Sequence, residues 1–194
     1  MPTAVEKGIS LDFPTGWEVV KYDGDTQADN ASFYRQRIEH KVQHVRGVDV
    51  VAYATAPTER LLLIEIKDYR TGSAPAEHRV AALRQTVLQK ALNTLSGLYA
   101  AVRVQDTELQ LVVNWRRLRL PVQVVLFLER PPLPVAPTDT AQKFRRQNPQ
   151  SAAENLFLDL TADLAALGLD FILRSTTTMQ PHDGWTGRLV ISAT

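Results

Sequence analysis

The clearest pattern in the chain lies between residues 47 and 103. Gly47 to Thr55 reads GVDVVAYAT and Leu61 to Lys67 reads LLLIEIK. Both runs are rich in β-branched and aliphatic residues, the composition of buried strands. Turn residues around Pro57 separate them, which predicts a β-hairpin. Downstream, Val80, Leu83, Val87, Ala91, Leu95, Leu98 and Val102 recur at helical spacing, and no proline interrupts 76–103. That predicts a long amphipathic helix.

The flanking segments are shorter. Ile9 to Phe13 and Trp17 to Tyr22 read as two strands around Pro14-Thr15-Gly16. The segment 32–44 is compatible with helix and with strand. Leu109 to Val113 and Val122 to Leu128 have strand character, joined by a basic connector, Trp115 to Arg119. Pro131 to Pro134 ends that region. A second helix is marked by capping-box spacing from Ser151 to Glu154 and by Gly168 at its C-terminal cap. Its apolar stripe is Ala153, Leu156, Phe157, Leu160, Leu164 and Leu167. The tail, 171–192, fits a last strand pair around Pro181 to Gly184. This order predicts one α/β domain over residues 1–194, a mixed β-sheet flanked by helices.

Composition narrows the chemistry. The 194 residues contain no cysteine, which removes disulfides, thiolate metal sites and thiol catalysis. The 22 Lys and Arg against 21 Asp and Glu give a net charge of +1, so the chain is neither histone-like nor an acidic tail. No apolar run approaches the ~20 residues that span a bilayer. Met1 to Leu11 lacks the basic start and apolar stretch of a signal peptide, so a cytoplasmic location is expected. There is no P-loop, GxGxxG or GxSxG motif.

The candidate chemistry sits in the hairpin. Strand side chains alternate faces, so Glu65 and Lys67 emerge on the side of Leu61 and Leu63, opposite Leu62, Ile64 and Ile66. A hairpin centred on Pro57 sets Asp49 opposite Glu65. Opposed Cβ atoms lie about 4.5–5.5 Å apart, so the two carboxylates repel unless a cation sits between them. Oxygen ligands of this kind suit Mg²⁺ or Mn²⁺. Lys67 shares that face and could neutralise the pair, orient a water or stabilise phosphate charge.

Asp49 followed sixteen residues later by Glu65-Ile66-Lys67 resembles the D…(D/E)xK signature of the PD-(D/E)xK, or restriction-endonuclease-like, nucleases. The resemblance covers about residues 45–100, with Gly47-Val48 where the family name has a proline. It implies a restriction-endonuclease-like core, in which Asp49 and Glu65 bind metal with the Ile66 backbone carbonyl, and Lys67 assists the attacking water. It makes Glu39, and after it Glu18, candidates for an additional acid. It implies that the helix after the (D/E)xK strand faces nucleic acid, through Arg79, Arg84, Gln85, Gln89 and Lys90, with Arg70 just before it.

Basic clusters are the remaining signal. Residues 33–47 hold Arg35, Arg37, Lys41 and Arg46 against Glu39 alone. Arg103, Arg116, Arg117 and Arg119 form a second group, and Lys143, Arg145 and Arg146 a third. Such clusters bind phosphate backbones but are also ordinary solvated surface. Phe33, Tyr34, Trp115 and Phe144 beside them could stack on bases or simply pack. His40 and His44 are spaced for a shared ion on a helix, yet no third ligand is near them in sequence. The expected function is a Mg²⁺- or Mn²⁺-dependent nuclease acting on DNA, as an endonuclease in preference to an exonuclease, with RNA as the other polymer. The alternative is a non-catalytic nucleic-acid- or partner-binding module on the same fold. A homodimer would suit double-strand cleavage.

Overall fold

The computed structural model describes residues 1–23, 33–39, 41–42, 45–55, 58–70, 77–130 and 154–190, with 77–80 as backbone only. Strands β1 (Thr3–Glu6), β2 (Ile9–Asp12), β3 (Glu18–Lys21), β4 (Val50–Ala54) and β5 (Arg60–Asp68) precede helix α1 (Glu77–Val104). Then follow β6 (Val122–Glu129), a helix α2 over 154–165, β7 (Asp170–Arg174) and β8 (Thr186–Leu189). The main sheet has the order β3-β4-β5-β6-β7. Its first three strands are antiparallel, and β5, β6 and β7 run parallel. Helices α1 and α2 make the two crossovers that parallel neighbours require. A second, antiparallel sheet has the order β1-β2-β8.

Both faces of the main sheet are covered. Leu61, Leu63, Val51, Val124 and Leu126 pack with Leu83, Val87, Ala91 and Leu98 of α1 and Leu156, Leu160 and Leu164 of α2. Val50, Ala52, Leu62, Ile64, Ile66, Val125 and Phe127 pack with Ile9, Leu11, Phe13, Trp17 and Trp185 on the other side. Hence β5 is a continuous apolar run and not an alternating one. Leu61 to Ile64 are all fully buried, each stabilising the fold by roughly 1.5–3 kcal/mol.

The hairpin register is the expected one: Val50 pairs with Ile64, Val51 with Leu63 and Ala52 with Leu62. Gly168 caps α2 with φ 72°, and the Leu169 N–H donates to the Leu164 carbonyl at 2.9 Å. Other expectations need correction. Leu109 to Val113 is no strand. Asp106 Oδ1 accepts the N–H groups of Glu108 and Leu109 at 3.1 and 3.0 Å and winds the chain into a 3₁₀ turn, Leu109–Leu111. Leu109, Val112 and Val113 are buried at helical spacing. The strands at 9–13 and 17–22 form, but in different sheets, because Phe13 and Trp17 fill the space between the layers. β7 and β8 likewise do not pair with each other; they close the two sheets separately. Phe157 on α2 and Leu167 in the turn just after it are exposed, so the buried stripe is narrower than the sequence suggests. Arg35–Glu39 forms a π-helical turn. Pro131 to Pro134, Lys143, Phe144, Arg145, Arg146, Ser151, Ala153, His40 and His44 lie outside the described residues, as do the His78, Arg79 and Val80 side chains.

Candidate functional site

Asp49 is fixed from three sides. The Val48 N–H donates to Thr94 Oγ1 on α1 at 3.0 Å. The Tyr22 N–H, at the end of β3, donates to the Asp49 carbonyl at 2.9 Å. The Asp49 carboxylate reaches across to β5, where Oδ2 accepts the Ile66 N–H at 2.6 Å. The residue is 4% exposed, so a carboxylate is held in the interior at the C-terminal end of β5.

Glu65 lies beside it and is completely buried. It faces α1, as alternation from Leu61 and Leu63 requires. Lys67 Nζ lies 2.7 Å from Glu65 Oε1, and Lys90 Nζ lies 2.8 Å from Glu65 Oε2. Burial pushes the Glu65 carboxyl above the usual range, and neighbouring Asp49 adds to the rise; Lys90 and Lys67 oppose it.

A third ammonium enters from the other sheet. Lys7 sits in the two-residue turn between β1 and β2, with Glu6 paired to Ile9. Its Nζ lies 3.5 Å from Asp49 Oδ1 and 3.4 Å from the Ile66 carbonyl oxygen. Burial works against its charge, but Asp49, Glu65 and Glu6 outweigh that and hold its pKa above the ordinary lysine value. A cation is therefore accommodated between the Asp49 carboxylate and the Ile66 carbonyl.

That donor set fits a hard divalent ion. Mg²⁺ is commonly held by one or two carboxylates and keeps several waters. Asp49, Glu65 and the Ile66 carbonyl offer oxygens of that kind. Among the described residues, no group of three or more acidic or histidine side chains is placed to hold a metal. Glu39 lies 3.7 Å from Arg35 on the π-helical turn. Glu18 pairs with Arg117 at the opposite end of the sheet. Two other acids approach the site: Glu6, 3.8 Å from Lys7 Nζ, and Asp23, 3.2 Å from Arg35. Burial raises the Asp23 pKa, Arg35 and Lys90 oppose the rise, and Glu39 and Asp49 add to it.

The expected nucleic-acid contacts are distributed differently. Lys90 is buried against Glu65 and is not on an exposed helix face. Arg84 bonds Asp159 and Asp163 of α2. Arg70 is held by Asp68 through its own N–H and its guanidinium. Gln85 and Gln89 are exposed and line the cleft between α1 and α2. Phe33 and Tyr34 are core residues, whereas Trp115 is exposed and packs edge-on against Tyr99. Arg117 lies over the Tyr53 ring, and Arg116 pairs with Glu59 at 2.7 Å. That basic group flanks the end of β4 and β5 remote from Asp49 and Glu65.

Sequence reasoning missed Lys7, Asp23 and the role of Thr94. It also placed Lys90 on the wrong side of the helix. Lys90 had a readable signal, since it falls on the apolar stripe between Val87 and Ala91. Lys7 had only the Lys-Gly pair of a tight turn.

No protein-family model matches the chain, and no curated protein and no solved structure matches it either. The molecule is a mixed α/β protein with one five-stranded mixed sheet and one three-stranded sheet. Among the described residues, no helix is long and apolar enough to cross a membrane.

Proposed function

We propose that this protein is a metal-dependent nuclease of the restriction-endonuclease-like kind, hydrolysing phosphodiester bonds in DNA. The observation that carries the reading is the convergence of Asp49, Glu65 and Lys67 at the end of β5, with two of the three fully or nearly buried. Buried charges are rare without a paired or functional reason. The antiparallel β3-β4-β5 meander, followed by α1 and a parallel β6, supports the same reading, because it is the scaffold that such a signature needs.

In this reading Asp49, Glu65 and the Ile66 carbonyl hold Mg²⁺ or Mn²⁺. When bound, such an ion supplies a water of lowered pKa and positive charge for the phosphate. Asp49 is preset by the Ile66 N–H, so it need not reorganise to serve as a ligand. Lys67 opposes the rise of the Glu65 pKa from one side and presents its ammonium to the attacking water and the phosphate. Lys90 opposes that rise from the helix side.

The test is cleavage of supercoiled plasmid, linear duplex, single-stranded DNA, branched DNA and RNA with Mg²⁺, Mn²⁺ or EDTA, with Lys67→Ala alongside. Metal-dependent cleavage lost in Lys67→Ala is expected. Full activity in Lys67→Ala sinks the assignment. A second reading, a binding module, draws on one observation: Lys7, Lys67 and Lys90 already neutralise both carboxylates. It expects salt-sensitive retention of DNA with no cleavage of any substrate.

A further inference from the structure

We propose that Lys7 is a tethered cation that shares the oxygen set of the metal, so that a divalent ion binds only as the Lys7 ammonium leaves. The proposal rests on the nuclease reading and adds to it a control on ion binding built into the β1–β2 turn.

Four observations converge. First, Lys7 Nζ lies 3.5 Å from Asp49 Oδ1 and 3.4 Å from the Ile66 carbonyl oxygen, two of the three oxygens assigned to the ion. An ion on those atoms would share its ligands with an ammonium at contact distance, and like charges that close repel.

Second, the turn itself is built around an unfavourable choice. Lys7 has φ 49° and Gly8 φ 74°, the left-handed pair of a two-residue hairpin turn. Asn, Asp or Gly suits the first position; a lysine there is strained. Strain of this kind clusters at functional sites. What this lysine adds to the turn is reach into the acidic site.

Third, of the three ammoniums Lys7 has the most open way out. The Lys7 side chain is 44% exposed, against 22% for Lys67 and 8% for Lys90. A second carboxylate waits nearby, with Glu6 Oε1 3.8 Å from Lys7 Nζ.

Fourth, the backbone of the turn is anchored. The Val190 N–H donates to the Gly8 carbonyl at 2.9 Å, and Lys21 holds Glu6 at 2.9 Å. The side chain therefore swings from Asp49 toward Glu6 while the hairpin stays in place.

The experiment is a Mn²⁺ titration of the full chain, read by the electron paramagnetic resonance signal of unbound Mn²⁺, with no substrate present. Wild type is compared with Lys7→Met, Lys7→Gln, Lys21→Met and the double variant Lys7→Met/Asp49→Asn, each checked for folding by circular dichroism. Both Lys7 variants are expected to bind Mn²⁺ on the order of tenfold more tightly than wild type, a coupling of ordinary size between competing sites. Lys21→Met, which touches no ligand but frees Glu6 to receive the Lys7 ammonium, is expected to tighten binding by clearly less than the Lys7 variants do. Asp49→Asn is expected to abolish the gain. Equal or weaker binding by the Lys7 variants overturns the proposal, and so does an equal gain in Lys21→Met. If wild type binds Mn²⁺ through Asp49 and the Lys7 variants bind no better, the tethered cation falls and the nuclease reading stands. If no variant binds Mn²⁺ at millimolar concentration, both fall.

Discussion

Lys90, on the buried face of α1, places its ammonium 2.8 Å from Glu65 Oε2. The pair joins the long helix to the strand that carries the candidate site. Both side chains are withdrawn from water, at 8% and 0% exposure, so screening is weak. Removing one partner of such a pair strands the other charge, which costs about 3–5 kcal/mol. Lys67 still compensates Glu65, so Lys90→Met is expected to fall near the low end, about 3 kcal/mol. Urea denaturation measures it. In Lys90→Met/Glu65→Gln the losses should be less than additive by more than about 1 kcal/mol. Strict additivity would show that the pair contributes nothing specific.

Asp49 has two jobs that substitution can separate. Its Oδ2 accepts the Ile66 N–H at 2.6 Å, and its charge serves the proposed ion. Asp49→Asn keeps an acceptor and loses the charge; Asp49→Ala loses both and leaves a buried N–H unpaired, which costs about 1–3 kcal/mol. Both variants are expected to lose cleavage, but only Asp49→Ala should lose that much stability. Parallel melting curves and plasmid assays decide it. Equal stability of the two variants would remove the structural half of the argument.

The hairpin was the most legible part of the molecule. Two apolar runs, one proline and strand alternation were enough to set Val51 opposite Leu63 and to aim Glu65 at the helix layer. Both runs are buried on both faces, so no competing pattern obscured them. Leu109 to Val113 misled because a short apolar run has no clear period, and the deciding bonds come from Asp106. The second sheet was hidden for a different reason. β2 finds its partners in β1 and β8, and nothing local in 9–13 names residue 189. Lys7 shares that problem, because the contact to Ile66 spans two sheets. Local sequence reports strand and helix preference; it does not report which turn will be folded over which strand end.

The junction of β7 with β8 predicts a pH response. Burial pushes Asp183 up, but the Arg174 guanidinium at 2.7 and 2.8 Å and the Gln180 N–H at 2.7 Å hold it below the usual carboxylate range. A lowered folded-state pKa gives stability that is complete above the unfolded value, about 3.9, and is lost as pH falls through the folded one. Wild type should therefore lose stability below about pH 4, and Asp183→Asn should lack that part of the slope. At neutral pH Asp183→Asn is expected to be less stable by about 1.5–3 kcal/mol, the range for hydrogen bonds to a charged group. Denaturant midpoints across pH 2.5–7 test both, and parallel slopes for the two proteins would refute the assignment.

Gly97 carries the last prediction, because it runs against helix propensity. Alanine favours a helix interior over glycine by about 0.8–1.0 kcal/mol, so Gly97→Ala in α1 should stabilise an isolated helix. In the protein a Cβ there would lie 2.0 Å from the Tyr22 hydroxyl oxygen and 2.7 Å from Ile38 Cδ1. Tyr22 is fully buried, its ring packed at a tilt against Tyr34, and its N–H donates to the Asp49 carbonyl. It cannot retreat without moving the end of β3 and, with it, Asp49. Overpacking of this kind costs typically 1–3 kcal/mol, more than the propensity gain. Gly97→Ala is thus expected to lower stability by up to about 2 kcal/mol net and to weaken the proposed metal-dependent cleavage more than stability alone explains. Tyr22→Phe in the Gly97→Ala background removes the clashing oxygen and should restore much of both. A stabilised Gly97→Ala would mean that α1 shifts freely over the sheet, and that Asp49 is not tied to it through Tyr22.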